Sequence, residues 1–352
     1  MLKNLIFLLF LYSNLVAQVD SVDIIVQNQM TKQNITGISL AIVKDGKTLV
    51  NKGYGMANME LRVPVNSNTV FRLASISKQF FATAIMKLVQ DGKISLDDDI
   101  QKFFRNAPDI WKPIRIKHLL SHTSGLVREA PGYENFKIQS DMSIIKSAYD
   151  LPLDYPTGQK YQYCNLGYFM LAEIITQVSG LSWQNYIQKE LFSPAGMTNT
   201  TMTDFYQVIP NRASGYVFNN GTYFNAEAML AVRPSGGFLS TSTDMIRWDK
   251  VLREKKIILS KENWETLWQP FVRTNSDPDS ASYYGFGWAI DDYNGHKSIG
   301  HGGSNMGFRT QYSRFIDDGL SIVVLTNTNG ANPDKIAKEL ASYIFRQKPN
   351  GK

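Results

Sequence analysis

The sequence contains very little cysteine. Its 352 residues include one cysteine, Cys164, which excludes a disulfide bond within the chain, so an oxidising compartment would be tolerated without being used. No histidine lies near Cys164 in the sequence to activate it as a nucleophile. We therefore expect a small, buried thiol.

Long apolar runs are scarce too. The run from Leu5 to Tyr12 is much shorter than the roughly 20 residues that a membrane-spanning helix requires, and no later stretch approaches that length. It follows Lys3 and precedes the small-residue cleavage site Leu15-Val16-Ala17, a pattern typical of a secretory signal peptide. We expect residues 1–17 to be removed and the mature chain to be exported, to a bacterial periplasm or the medium, without a membrane span.

Histidine is also rare, with four residues in the chain. His118 and His122 are four apart, as zinc ligands on a helix often are, but neither has the neighbouring carboxylate of an H-E-x-x-H motif. We interpret the pair as a helix with a hydrogen-bonded core histidine, and predict no metal and no cofactor.

The charge gives no indication of a nucleic-acid partner. The formal net charge is +6, but the basic residues are scattered among acidic ones rather than collected in a stripe. Such a distribution favours solubility. The sequence leaves the oligomeric state open.

The order of the predicted elements indicates an α/β fold of the α+β type. Two alternating runs flank Asp45-Gly46, a strong hairpin signal. We predict an antiparallel sheet flanked by helices, with a mostly helical subdomain (about residues 75–256) inserted in one domain of residues 18–345, before a basic tail of residues 346–352. The predicted strands are Gly37–Val43, Thr48–Met56, Tyr284–Asp291, Phe308–Ile316 and Leu320–Thr326, and the predicted helices are Val19–Lys32, Ser77–Gln90, Ile116–Ser121, Leu166–Val178, Trp183–Leu191, Thr243–Arg253 and Pro333–Phe345.

Ser75-Ile76-Ser77-Lys78 stands where a predicted buried helix begins. In the first turn of a helix, unpaired N–H groups and the positive dipole end favour developing negative charge on Ser75. Lys78 lies on the same face, and a desolvated lysine can activate a serine as a nucleophile. A Ser-x-x-Lys spacing occurs about once by chance in a chain of this length, and Ser143-Ile144-Ile145-Lys146 repeats it. A helix cap with a surface lysine is therefore an alternative.

Tyr163-Cys164-Asn165 lies in a loop that leads into a predicted helix. A phenol is a useful general base only if its pKa of about 10 is lowered, which a nearby lysine ammonium would do. The amide of Asn165 can bind a lysine or a substrate carbonyl. Tyr133-Glu134-Asn135 has the same spacing, so loop aromatics packed on the core are an alternative.

Gly300-His301-Gly302-Gly303 combines a histidine with glycines that allow a close backbone approach. One histidine in such a run can carry a proton or polarise a carboxylate at neutral pH. A glycine-rich strand end with a surface histidine is the alternative.

Together these motifs resemble the serine β-lactamase-like superfamily, which includes class C β-lactamases, D-alanyl-D-alanine carboxypeptidases, D-aminopeptidases and related esterases. The similarity covers about residues 35 to 330. It rests on the order of six stretches, Ser75-x-x-Lys78, Ile114 to Leu126, Tyr163-Cys164-Asn165, Ser235 to Thr241, Gly285 to Trp288 and His301-Gly302-Gly303.

The resemblance implies a role for each matching residue. Ser75 would be the acylated nucleophile, Lys78 its partner, and Tyr163 the base that activates Ser75 and later the deacylating water. Asn165 would hold Lys78 and the substrate amide. The oxyanion hole would be the N–H groups of Ser75 and Ser304.

β-Lactamases of this type carry Lys-Thr-Gly at the third motif, where the lysine pairs with the carboxylate of the β-lactam drug. This chain has His301-Gly302-Gly303 at that position, which is more similar to the esterases and peptidases of the superfamily. We therefore expect an exported serine hydrolase that acts through an acyl-enzyme on an ester or a D-residue-containing peptide. The alternatives are a β-lactamase or penicillin-binding D-alanyl-D-alanine carboxypeptidase, and a catalytically idle relative that binds ligands. We expect selectivity to lie in loops such as Glu129–Asp141 and Asn199–Tyr223.

Overall fold

The computed structural model describes residues 21–203, 206–226, 233–277 and 281–347. The predicted signal peptide and residues 348–352 of the predicted tail lie outside these ranges. No helix in the described ranges combines the length and the apolar character needed to cross a membrane.

A nine-stranded antiparallel sheet forms the centre of the fold, with the order β3-β2-β1-β14-β13-β12-β11-β10-β9. Two three-stranded sheets, β15-β6-β7 and β4-β8-β5, lie beside it. The strands are β1 Gly37–Lys44, β2 Lys47–Asn58, β3 Val63–Pro64, β4 Phe71–Arg72, β5 Thr201–Met202, β6 Tyr216–Asn219, β7 Thr222–Asn225, β8 Phe238–Ser240, β9 Val272–Arg273, β10 Tyr283–Tyr284, β11 Ala289–Tyr293, β12 His296–Asn305, β13 Phe308–Phe315, β14 Leu320–Thr326 and β15 Thr328–Asn329.

Helices cover both faces of the sheet. They are α1 (residues 21–33), α2 Lys78–Gln90, α3 Ile116–Leu120, α4 Asp141–Lys146, α5 Leu166–Ser179, α6 Trp183–Ile187, α7 Ser193–Ala195, α8 Ser242–Glu254, α9 Lys261–Leu267 and α10 Pro333–Arg346. Short 3-10 turns occupy Ala74–Ser77, Ile100–Lys102 and Asp109–Trp111, and a π-helical turn occupies Gln188–Phe192.

The two faces of the sheet bury different cores, because successive strand residues point to opposite sides. Leu40 and Ile42 of β1 belong to a smaller core that contains side chains of α1 and α10, such as Leu340. Ala41 belongs to the larger core around α2, where Phe80 is fully buried. The helix that follows Ser75 thus lies in the middle of the larger core.

The structure confirms the α+β architecture, the Asp45-Gly46 hairpin and the strands near the C-terminus, with ends shifted by a few residues. The predicted strand Tyr284–Asp291 is wrong in its middle, because it is divided into β10 and β11. At the break Gly287 has φ +77°, and a Cβ there would lie 2.9 Å from the Lys78 carbonyl oxygen. Close packing on α2 therefore interrupts the strand.

Two further elements differ from the predictions. The glycine-rich stretch that contains His301 forms a full strand, β12, which the prediction did not include. The helix predicted at Trp183–Leu191 is α6 followed by the π-helical turn. The limits of the inserted helical subdomain stay a prediction.

Candidate active site

Ser75 lies in the 3-10 turn Ala74–Ser77, directly before α2 rather than in its first turn as predicted. Ala74 has φ +49°, in the left-handed region that few non-glycine residues adopt. The Thr310 hydroxyl of β13 donates a 2.8 Å hydrogen bond to the Leu73 carbonyl, which fixes the turn to the sheet. Ser75 is partly exposed while its neighbours are buried, so its hydroxyl faces a cavity.

Lys78 is fully buried beside Ser75. Its Nζ lies 2.6 Å from the Ser235 carbonyl oxygen, 2.9 Å from Asn165 Oδ1 and 3.3 Å from Ser75 Oγ. Burial, and then the charge of Arg233, lower the pKa of Lys78 well below its usual value. A neutral amine has two N–H donors and one lone pair. The two shorter contacts go to oxygens that only accept, so a neutral Lys78 that donates to both would keep its lone pair for the Ser75 hydroxyl proton.

Tyr163 lies on the other side of Lys78, with its ring centre 4.8 Å from Nζ. Its hydroxyl oxygen is buried near Ser75 and makes no hydrogen bond shorter than 3.5 Å within the described part of the chain. Burial raises the pKa of Tyr163, and the neighbouring Ser75 lowers it by less. The sequence suggested that a lysine ammonium would lower the pKa of this phenol. That expectation is wrong for the free protein, because burial favours the neutral form of both groups.

Asn165 joins Lys78 to two residues that the motif analysis did not identify as a pair. Its Oδ1 accepts from Lys78, and its Nδ2 donates to the Glu129 carboxylate. Arg233 forms a 2.9 Å ion pair with Glu129 and donates to Ser235 Oγ at 3.0 Å. Glu129 was predicted only as the start of a selectivity loop. Arg233 stands two residues before the Ser235 motif, which is the one sequence signal that could have indicated it.

The third motif lies on β12, whose backbone runs beside the Ser75 turn. At Gly303 a Cβ would be 2.2 Å from the Leu73 carbonyl oxygen and 2.2 Å from Thr310 Oγ1. Only glycine allows this approach. It brings Ser304, the predicted second oxyanion residue, to the same cavity as Ser75.

His301 is buried, and both ring nitrogens are engaged. Nδ1 lies 2.6 Å from the Gly302 carbonyl oxygen, to which it must donate, so Nε2 accepts from the Tyr284 hydroxyl at 2.9 Å. Burial, and then the charge of Lys78, lower the pKa of His301 to about 4. This histidine is neutral at pH 7 and has no free donor for a substrate carboxylate.

A cavity of about 760 Å³ opens on these groups. Every predicted site residue except Lys78 contributes to its wall, and Lys78 lies behind Ser75. The wall contains Ser75, Tyr163, Asn165, His301, Gly303, Ser304 and also Arg128, Glu129 and Arg233.

The other candidate sites do not assemble. His118 Nδ1 accepts from the Arg115 N–H and His122 Nδ1 accepts from the Cys164 N–H. Within the described ranges no cluster of three or more potential metal ligands occurs. The Cys164 thiol is buried, with Sγ 3.2 Å from the Val127 carbonyl oxygen, and burial raises its pKa to about 11. A thiol of this kind is a poor nucleophile.

Sequence comparison finds relatives over most of the chain. This chain is 27% identical over 338 residues to Protein flp of Staphylococcus aureus (strain MRSA252), and the match covers 93% of this chain and 66% of that protein. It is 28% identical over 322 residues to Penicillin-binding protein 4* of Bacillus subtilis (strain 168), covering 84% of this chain and 69% of that protein. The chain thus spans about two thirds of the length of these relatives.

Solved structures share the fold. A penicillin-binding protein homologue from Pyrococcus abyssi, described as octameric, superposes with a TM-score of 0.84 at 28% identity, over 93% of this chain and 77% of that one. D-amino acid amidase from Ochrobactrum anthropi SV3 superposes with a TM-score of 0.81 at 21% identity, over 95% of this chain and 100% of that one. The beta-lactamase family model matches residues 22–343. The chain therefore belongs to the beta-lactamase family.

Proposed function

We propose that the protein is an exported serine hydrolase that acts through an acyl-enzyme on an ester or a D-residue-containing peptide. The observation that carries this proposal is the environment of Lys78. Its Nζ lies 2.6 and 2.9 Å from two acceptor oxygens and 3.3 Å from Ser75 Oγ, so as the neutral amine Lys78 would donate to the two nearer oxygens and accept the Ser75 hydroxyl proton. Export rests on the signal-peptide pattern of residues 1–17.

In the acylation step, Ser75 Oγ attacks the substrate carbonyl carbon while the Lys78 amine takes the hydroxyl proton. The N–H groups of Ser75 and Ser304 stabilise the negative charge on the carbonyl oxygen. The proton then passes to the leaving oxygen or nitrogen, and the Tyr163 hydroxyl, which neighbours Ser75, can relay that proton. The bond to the leaving group breaks and Ser75 carries the acyl group. Water releases the acyl group by the reverse sequence, with the same base.

His301 bears on the choice of substrate. With Nδ1 donating to the Gly302 carbonyl and Nε2 accepting from Tyr284, it cannot replace a lysine that pairs with a carboxylate. This favours an ester, amide or peptide over a substrate that must be held by its carboxylate at this position.

The second candidate is a β-lactamase or a penicillin-binding D-alanyl-D-alanine carboxypeptidase, which the 28% identity to Penicillin-binding protein 4* favours. A β-lactam separates the readings. Turnover of the β-lactam identifies a β-lactamase, a lasting adduct on Ser75 identifies a penicillin-binding protein, and no reaction leaves the esterase or peptidase. The idle-relative hypothesis is disfavoured because Ser75 and Tyr163 line one cavity and the buried Lys78 contacts both of them.

The test is hydrolysis of a p-nitrophenyl short-chain ester by the mature protein beside a folded Ser75→Ala variant. We expect turnover in the wild type and a loss of at least about 1,000-fold in the variant, since the nucleophile is gone. Intact mass after treatment with a serine-directed probe should show a single adduct on Ser75. Activity that survives in Ser75→Ala, or an adduct elsewhere, would overturn the proposal.

A further inference from the structure

His122 is a fully buried histidine that the proposed mechanism does not use. It follows α3 and has φ +60°. Its ring lies against the ring of Tyr163, with centroids 4.2 Å apart. It is therefore the side chain that supports the back of the Tyr163 ring, on a backbone held in an uncommon conformation.

A single hydrogen bond fixes the tautomer of His122. Nδ1 accepts from the backbone N–H of Cys164 at 3.1 Å, so the proton of the neutral ring is on Nε2, which is buried and finds no hydrogen-bond partner among the residues that the structure describes. Cys164 is the residue between Tyr163 and Asn165. His122 thus contacts the ring of Tyr163 and also holds the backbone between Tyr163 and Asn165.

Backbone hydrogen bonds hold the rest of this loop to the same segment. The Gln162 N–H donates to the His122 carbonyl at 2.9 Å, and the Gly158 N–H to the Thr123 carbonyl at 2.8 Å. These bonds place the loop up to Gln162. After Gln162, the contact that residues 122 and 123 make with Tyr163 is the packing of the His122 ring on the Tyr163 ring.

The same ring belongs to a cluster of aromatic side chains that reaches Lys78. Its centroid is 4.8 Å from the Tyr284 ring and 5.3 Å from the Tyr168 ring, and Tyr168 lies 5.1 Å from Lys78 Nζ. Several titratable or charged residues surround His122. They are Lys78, Arg128, Tyr155, Tyr161, Tyr163, Cys164, Tyr168, Tyr284 and His301.

We propose that His122 is a positioning residue for catalysis. Its ring sets the Tyr163-Cys164-Asn165 segment through the Cys164 N–H and the face of Tyr163, and it completes the cluster of aromatic rings beside the Lys78 side chain. This inference rests on the proposed function, because its main readout is turnover at Ser75.

Two substitutions separate the two parts of the proposal. His122→Asn keeps a side-chain acceptor and suits the positive φ, but it removes the ring and admits water. His122→Phe keeps an apolar ring and removes the acceptor. His118→Asn is the matched control, since His118 also accepts one backbone N–H, from Arg115, and is outside the cavity wall.

We expect both His122 variants to lose about 100-fold in kcat with little change in KM, the effect of misplacing a catalytic group by about 1 Å. In His122→Asn the acidic limb of the kcat/KM profile should also move to higher pH, because a hydrated Lys78 holds its proton more tightly. In His122→Phe that limb should stay near its wild-type position. His118→Asn should match the wild type in both respects.

The outcomes distinguish this inference from the proposed function. An inactive wild type would count against the proposed function, whereas an active wild type with an inactive Ser75→Ala and a fully active His122→Asn would overturn the role of His122. If the variants do not fold, nitrogen NMR of the wild-type histidines decides. An Nε2–H tautomer for His122 that does not titrate between pH 5 and 8 supports the proposal, and an Nδ1–H tautomer or titration in that range overturns it.

Discussion

At the scale of single residues, Arg233 and Glu129 act on Lys78 in opposite directions. After burial, the charge of Arg233 is the main influence that lowers the pKa of Lys78, and Glu129 raises it. Because acylation needs the neutral amine, kcat/KM should rise with pH as Lys78 loses its proton. Arg233→Gln should move this acidic limb to higher pH, and Glu129→Gln should move it to lower pH.

The measurement is the pH–rate profile of ester hydrolysis for both variants. Each substitution also leaves the partner of the broken ion pair unneutralised, which shifts the pKa of Lys78 in the same direction as the substitution itself. Arg273→Gln, at an exposed position on β9, is the control and should leave the profile unchanged. Shifts of the same sign in both active-site variants would contradict the assignment of Lys78 as the base.

The Tyr163 hydroxyl should matter for turnover and not for stability. Tyr163→Phe should lower kcat by about 100-fold, a typical loss for a general acid–base group, while the acidic limb set by Lys78 stays in place. The hydroxyl is buried, and its polar neighbour among the described residues is Ser75, with which it makes no hydrogen bond shorter than 3.5 Å. Its removal should therefore change Tm less than the removal of a hydroxyl that has a close buried acceptor.

Tyr168→Phe is the matched control for stability. The Tyr168 hydroxyl donates to the Leu120 carbonyl at 3.1 Å, so its loss should lower the free energy of unfolding by about 1 kcal/mol. Thermal unfolding of both variants, beside their kcat, makes the comparison. A Tyr163→Phe protein that is less stable than Tyr168→Phe would be inconsistent with a hydroxyl that has no close acceptor.

The Ser-x-x-Lys spacing pointed to Ser75 and Lys78, but Ser143 and Lys146 share it, and only the order of the other motifs selected the first pair. Burial decided the protonation of Lys78 and Tyr163, and burial depends on the whole fold. Glu129 and Arg233 are 104 positions apart and meet only in the folded chain. No periodicity connects such residues, so the pair that tunes Lys78 could not be predicted.

At the scale of elements, the approach of β12 to the Ser75 turn depends on Gly303. A Cβ at that position would meet the Leu73 carbonyl and Thr310 Oγ1. Gly303→Ala should therefore push the strand from the turn, lower kcat by about 100-fold and lower stability by about 1–3 kcal/mol.

Gly302→Ala is the comparison for this prediction. The added Cβ would lie 3.0 Å from the flexible end of Gln311, which can move aside, and at an ordinary contact distance of 3.7 Å from the Thr310 carbonyl oxygen. Its loss of kcat should be much smaller than that of Gly303→Ala under the same conditions. Equal losses in the two variants would show that the close approach at Gly303 is not what matters.

The elements that sequence patterns predicted well are those with one regular environment, such as β14, whose bounds agree with the prediction. The predictions failed where close packing overrides the alternation of apolar and polar residues expected of a strand. Gly285, Phe286 and Gly287 divide the predicted strand because Gly287 packs on the Lys78 carbonyl. β12 contains Gly300, Gly302 and Gly303, a composition that is unusual for a strand, so its pairing with β13 is visible only in the structure.

At the scale of the whole molecule, Asp249 joins helix α8 to the sheet. Its buried carboxylate accepts hydrogen bonds from the Tyr312 hydroxyl at 2.8 Å, Ser321 Oγ at 2.6 Å, Arg314 Nε at 3.1 Å and Arg253 at 2.9 Å. Asp249→Asn should cost about 3–5 kcal/mol of unfolding free energy, because it leaves the Arg314 charge buried without its partner.

Urea unfolding against pH tests the role of Asp249. Burial alone would raise its pKa, but Arg314 and Arg253 lower it overall. Its stabilising contribution is thus present above the unfolded-state value of about 3.9 and is lost as the pH falls through the lower folded-state value. The difference from Asp249→Asn should shrink in that acidic range. Asp109→Asn, in an ion pair whose carboxylate is 86% exposed, should cost little at any pH.

The pairing of β1 with β14 has a consequence for synthesis, since Ile38 lies opposite Thr326 although the two residues are far apart in the sequence. During translation Ser75 and Lys78 are made well before Gly303 and Ser304 of β12. Sheets that join distant segments also fold slowly. A nascent chain that has been made only as far as α8 therefore contains Ser75 and Lys78 without β12, and the arrangement proposed for catalysis can form only after β12 to β14 have been synthesised.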